Sequence, residues 1–262
     1  HEGILKDENP TVAALDERKA MLGEAQSSPK QWISTRATAL TRLGEVFAEF
    51  LPTHILHCDA FEEIWKKLIG LLDSTFRSGP AVLSQRAMEA KLAVLSVGVV
   101  QHHTLGSKHV EAHNSAWQVW STLAVDARGE QRPEHLTQEN LLAAVKAAAS
   151  IYRGIPQAFD LSRLKQLFAS LRTFLLFPSA GTAAKDIDTL TPLQHAVREL
   201  LLSITPVPGA KALLIDEMSQ ISTLAYVHQE ASQFTFVALA KATVMDLRRL
   251  FVESHVEKEI YQ

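Results

Sequence analysis

Cysteine is nearly absent from this 262-residue sequence: Cys58 is the only one. A lone thiol cannot close an intrachain disulfide, so the core alone has to hold the fold, and a reducing compartment is expected. An excess of one charge is missing as well. Lys and Arg number 26 against 29 Asp and Glu, a formal net charge of −3. Neutralising a nucleic-acid backbone needs a cationic surplus, so nucleic acid is not expected as a partner. No long apolar run is present either. The longest, around Leu92–Val100, falls well short of the roughly 20 residues that span a bilayer. Asn-Gly and Asp-Gly turns are lacking, and no stretch alternates apolar and polar residues over a useful length, so strands are not expected. The chain opens on His1 with no signal-peptide pattern behind it and reads as a soluble piece of a longer protein.

What the sequence does hold is helix. Hydrophobic residues make up 47% and charged residues 21%, enough for a continuous core under a solvated surface. Phe61, Ile64, Trp65, Leu68, Leu71, Leu72 and Phe76 form one apolar stripe at helical spacing. Leu161, Leu164, Leu167, Phe168, Leu171, Phe174 and Leu175 form a second, and Val237, Ala240, Val244, Leu247, Leu250 and Phe251 a third. Gly79-Pro80 ends one helix and opens another, because proline suits a first turn and blocks an interior. Thr137, Asp160 and Thr191 are placed to cap helices with their side-chain oxygens, and Pro192 follows Thr191 at the first helical position. Phe177-Pro178 is a stop. These signals predict helices near 11–26, 31–50, 60–78, 80–104, 113–125, 137–153, 160–177, 191–204, 210–228 and 233–260. Short connections make such helices pack antiparallel to their neighbours. The expected fold is all-α: an antiparallel helical array, a HEAT/armadillo-like α-solenoid, forming one domain over 1–262 with a soft boundary near 178–190.

Residues that bear chemistry are present without the spacing that chemistry needs. His102, His103, His109 and His113 cluster, as do His54, His57 and Cys58, yet no Cys pair or His-Glu-x-x-His pattern supports zinc, and no metal or cofactor is expected. Cys58 has no nucleophile signature, no Gly-x-Ser-x-Gly elbow occurs, and Gly181-Thr-Ala-Ala-Lys185 lacks phosphate-loop spacing. A buried, inert thiol is the commoner fate of such a cysteine. Glu62-Glu63, Asp186/Asp188 and Asp216-Glu217 read as solvated surface. Lys66-Lys67 and Arg248-Arg249 are isolated pairs, too few for a membrane patch. Trp65 reads as a core anchor. Trp117 and Trp120, three apart among Asn114, Ser115, Gln118 and Ser121, are candidate partner anchors, as tryptophan often is at interfaces. On the last helix Val256 and Ile260 are candidates too, because little chain is left to cover them.

The pattern Phe61-x-x-x-Trp65-x-x-Leu68-x-x-x-Leu72, then Gly79-Pro80 and a helix bearing Ala87, Ala90 and Leu95, resembles the helical repeats downstream of the catalytic domain in large Arf exchange factors. Leu190-Thr-Pro-Leu-Gln194, and Leu136–Leu142 followed by Lys146, Ile151 and Tyr152, look more like the C-terminal part of the Mon-two family of monensin-sensitivity proteins, relatives of those factors. That resemblance implies a non-catalytic Golgi and endosome trafficking scaffold, cytoplasmic and peripheral to the membrane. Such a scaffold lacks a Sec-seven domain and acts with Dopey-type proteins, lipid flippases and Arf-like small GTPases. It carries over no catalytic residue. The long breaks at Asp126–Pro133 and Ser179–Thr189 depart from a smooth repeat. The alternative is a helical module that binds the membrane surface directly.

Overall fold

Three helix starts are made by the side chains that the sequence marks. Thr137 accepts from the backbone N–H of Asn140, Asp160 from that of Arg163, and Thr191 shares a reciprocal capping box with Gln194. In the computed structural model the described residues are 29–54, 57–105, 110–129, 134–177, 189–204, 210–227 and 233–260. Side chains are described throughout except at 99–105, 110–116, 225–227, 233–235 and 253–260. The helices over these residues are α1 (Pro29–Phe50), α2 (Phe61–Ser78), α3 (Ala81–Leu105), α4 (Val110–Arg128), α5 (Gln138–Gly154), α6 (Leu161–Leu175), α7 (Pro192–Ser203), α8 (Ala210–Val227) and α9 (Gln233–Ile260), with a short 3₁₀ turn at Pro156–Ala158. No strand occurs among the described residues, so the fold is all-α. The helix expected near 11–26 and all but the last residue of the break expected at Ser179–Thr189 lie outside them.

The helices pack in two interleaved rows. α1 lies on α3, α3 on α5 and α5 on α7; α2 lies on α4, α4 on α6 and α6 on α8. The rows meet where chain neighbours pair, notably α2 with α3 and α8 with α9. Helices of the second row open at Phe61, Val110, Leu161 and Ala210, so their starts fall 49, 51 and 49 residues apart. That period is hard to see in the sequence because only scattered residue identities, such as Leu92 and Leu141 or Leu164 and Leu213, repeat with it. One connected apolar core runs from Ala37 on α1 to Leu239 on α9.

Trp65 sits in that core, 2% exposed, with its ring 5.7 Å from Phe61 and 6.4 Å from Phe47. The close approach of α3 behind it needs a glycine, since a Cβ at Gly98 would meet the indole at 2.7 Å. Gly44 does the same for α1 on α3, where a Cβ would stand 2.8 Å from that of Ala90. Lys91 of α3 is buried and reaches Asp73 of α2 at 2.5 Å, closing the α2–α3 pair.

The apolar stripes are wider than the faces that packing covers. Ile64 and Leu71 on α2 and Val244 and Phe251 on α9 are exposed, while their stripe partners Leu68, Leu72 and Phe76 are buried. Cys58, expected inside, is exposed. It lies between α1 and α2, outside either helix, where no helical face carries it into the core.

Candidate partner-binding surfaces

α4 brings Trp117 and Trp120 onto one side, with ring centroids 5.7 Å apart. Trp120 does not serve as a surface anchor. Its side chain is 3% exposed and its indole N–H donates to the Ala144 carbonyl of α5 at 2.9 Å, so its apolar body and its polar tip are both used within the fold. Trp117 is half-buried. Phe159 meets it edge-on at 4.8 Å, and the Arg163 guanidinium lies 4.9 Å from its ring centre. Phe159 in turn packs edge-on against Tyr152 at 5.1 Å. The aromatic cluster ties α4 to α5 and to the start of α6, and only the outer part of Trp117 is left for a partner. Of the polar neighbours that mark this pair in the sequence, Gln118 and Ser121 are exposed, and the side chains of Asn114 and Ser115 lie outside the described residues. The side chains of Val256 and Ile260 lie outside the described residues, as do those of His102, His103, His109 and His113 and all of 181–185.

A set of arginines that the sequence reading passed over joins helices two apart. Arg77 of α2 meets Asp126 of α4 at 3.1 Å. Arg128 of α4 donates twice to the Thr173 hydroxyl of α6, at 3.0 and 2.8 Å. Arg172 of α6 approaches Glu217 of α8 at 3.3 Å, and Arg198 of α7 clasps Asp246 of α9 with two contacts of 2.5 and 2.9 Å. Each time the arginine is on the earlier helix and the acceptor 45 to 49 residues later, as 77/126, 128/173, 172/217 and 198/246 show. Because the offset varies from 45 to 49 and one acceptor is a threonine, no fixed spacing in the sequence exposes them.

These clasps set the local electrostatics. Glu217, expected on the surface, is 3% exposed. Burial pushes its carboxyl above the usual range, and Arg172 opposes that only in part. Oε1 has no well-aligned hydrogen bond, so the contact with Arg172 is an ion pair alone. The Asp246 hydrogen bonds raise the Arg198 guanidinium further above its ordinary range. His135 packs edge-on to Phe76 at 4.5 Å with Nε2 buried and unbonded. Burial first, then the charge of Arg77, holds its imidazole below the usual histidine range, against the pull of Asp126.

Other surfaces carry less. An open groove between α1 and α3 is lined by Ile33, Ala37, Thr38, Thr41 and Val82. Its rim cations Arg42 and Arg86 already pair with Glu45 and Glu89 at 2.7 and 2.6 Å. Among the described residues no three His, Cys, Asp or Glu side chains converge on a metal-sized site, and no helix is long and apolar enough to cross a membrane. Among the described residues, large exposed apolar side chains occur on α1 (Trp32, Val46, Phe50) and α9 (Val244, Met245, Phe251, Val252), and also between them at Ile64, Leu71, Val82, Val125 and Leu161. Comparison with known proteins gives no family model that matches the chain, no matching curated protein and no matching solved structure.

Proposed function

We propose that the chain is a two-helix-repeat α-solenoid, of the loose HEAT and armadillo kind, that serves as a protein-binding scaffold and transforms no substrate. One observation carries this reading: α3 to α8 each stack on the helix two before them, the second row at a period near 50 residues, and an arginine clasp recurs between helices two apart. Such an array builds a long surface from units that touch mainly their neighbours, and arrays of this kind use that surface to bind. The period is slightly longer than the roughly 40–47 residues usual for HEAT and armadillo units. Fold class alone does not assign a role; the apolar residues exposed on α1 and α9 add to it, since such patches mark interaction sites.

The narrower role is a Golgi and endosome scaffold meeting Dopey-type proteins and Arf-like small GTPases. It is carried only by the residue patterns at 61–95, 136–152 and 190–194. Affinity purification of the tagged chain, with reciprocal capture and direct binding of the purified pair, tests both levels. A stoichiometric protein partner is the expected result, and a Dopey-type or Arf-like partner fits the narrower role. Failure of any purified protein to bind would refute the scaffold. Co-sedimentation with protein-free anionic vesicles in place of a protein partner would favour the membrane-surface alternative.

A further inference from the structure

α3 receives α2 through a small set of positions. The Ser84 hydroxyl donates to the Phe76 carbonyl, Lys91 reaches Asp73, and Gly98 lies against the Trp65 indole. α1 begins 52 residues before α3, at Pro29 against Ala81. The same three positions on α1, 52 residues earlier, are Trp32, Ala39 and Val46. Their spacing of seven residues puts them on one side of the helix, and Phe50 falls on that side one turn later. Trp32, Val46 and Phe50 are 57%, 50% and 42% exposed, while the side of α1 turned to α3, through Ala37, Leu40 and Phe47, is buried. α1 thus exposes, as an apolar face, the side through which α3 holds the helix before it.

The sequence just before α1 carries the apolar pattern of α2. Ala14, Leu15, Met21 and Leu22 stand 50 residues before Ile64, Trp65, Leu71 and Leu72, within the 49 to 51 residues that separate the starts of second-row helices. Asp16, Glu17 and Glu24 fall outside this stripe, as a helix with one apolar side requires. Where Asp73 and Lys91 close the α2–α3 pair, the corresponding residues are Gly23 and Ala39, with no side chain beyond Cβ to hold two helices apart. Pro29 opens α1, and a proline breaks a helix that would run through it. Only Ser27 and Ser28 separate it from Gln26, so a helix over 11–26 has to turn back beside α1.

We infer that residues 11–26 form the second-row helix that precedes α2 and dock on the exposed face of α1, with Leu15 against Val46 as Trp65 lies against Gly98. The occupant of this face is the chain itself. The segment is tethered to α1 by two residues, which holds it at a high effective concentration, and it repeats the pattern that the matching face of α3 receives. A second copy or another protein would have to displace it. The inference is independent of the scaffold reading. It closes the face of α1 to a partner, and the scaffold reading keeps the repeat and the exposed residues of α9 as its support.

Cross-linking and hydrogen exchange on the whole chain test this. In a Cys58→Ser background, Leu15→Cys with Val46→Cys is expected to join within one molecule under a short thiol-specific cross-linker, read by mass spectrometry of the digested monomer. Leu15→Cys with Val82→Cys is expected not to join, because Val82, 53% exposed on α3, lines the outer groove away from that face. The amides of 11–26 should be protected in the wild type. Leu22→Asp and Val46→Asp should each speed their exchange at least about tenfold, since either charge would be buried in the contact. Val125→Asp, at a 68% exposed position of α4, should leave them unchanged. Failure of Leu15→Cys to join with Val46→Cys, or equal joining of the two pairs, would overturn the inference. So would unprotected amides at 11–26 in the wild type, or exchange there that Val46→Asp does not alter. Joining between molecules that is lost on dilution would give the face to a second copy and contradicts the inference as well.

Discussion

Replacing Arg198 with alanine strands the Asp246 carboxylate, whose side chain is 5% exposed, inside the stack with no charge to balance it. Removing one partner of a buried pair in this way costs about 3–5 kcal/mol. The reverse change is milder. Arg198 is 29% exposed, and its long side chain can swing its guanidinium into water once Asp246 is gone. Asp246→Ala then forfeits only the charged hydrogen bonds, about 1.5–3 kcal/mol. The double variant should be more stable than Arg198→Ala alone, because the stranded charge is absent. Urea titrations followed by circular dichroism read these differences as shifts in midpoint at constant slope. Equal losses for the two single variants, or a loss under about 1 kcal/mol for Arg198→Ala, would show that the clasp is not a buried one and would remove a rung of the ladder.

Glycines give a paired test: Gly70→Ala, with nothing within 4 Å of the new Cβ, should stabilise by up to about 1 kcal/mol, whereas Gly44→Ala, pressed against the Ala90 backbone at 2.9 Å, should destabilise by roughly 1–3 kcal/mol, both read from melts. Trp65→Ala should cost about 3–5 kcal/mol; a melt that barely moves would show an exposed ring. The raised carboxyl of Glu217 binds its proton more tightly folded than unfolded, so its contribution to stability is present at low pH and lost as pH rises through the folded value. Wild type should therefore gain on Glu217→Gln as pH falls from 7 toward the ordinary glutamate range, and a pH-independent difference between the two would contradict the burial.

Helix positions were legible because each has a local cause. Thr137, Asp160 and Thr191 cap where their side chains dictate, and the stripe through Trp65 and Leu72 buries as its spacing predicts. Which side of a broad stripe meets a neighbour is decided by tertiary packing, so Leu71 and Val244 read as core and are exposed. Trp120 and Glu217 failed the other way. Their polar sequence neighbours suggest surface, but a carbonyl on α5 and an arginine on α6 receive them. The ladder itself is a relation between residues some 45 to 49 apart, beyond the reach of any local pattern. Of the candidate site residues, Trp117 keeps part of its ring at the surface and Trp120 is enclosed.

If the helices are stacked unit on unit, a core defect should be felt near itself and not at the far end. Hydrogen exchange on Leu72→Ala, at a fully buried position of α2, and on Leu200→Ala, 1% exposed on α7, measures this directly. The stack predicts that the first change raises exchange in α1 to α4 and leaves α8 and α9 at wild-type rates, and that the second raises it in α5 to α9 and leaves α1 and α2 unchanged. A uniform rise across all the described helices in either variant would mean a single indivisible core, and would contradict the solenoid.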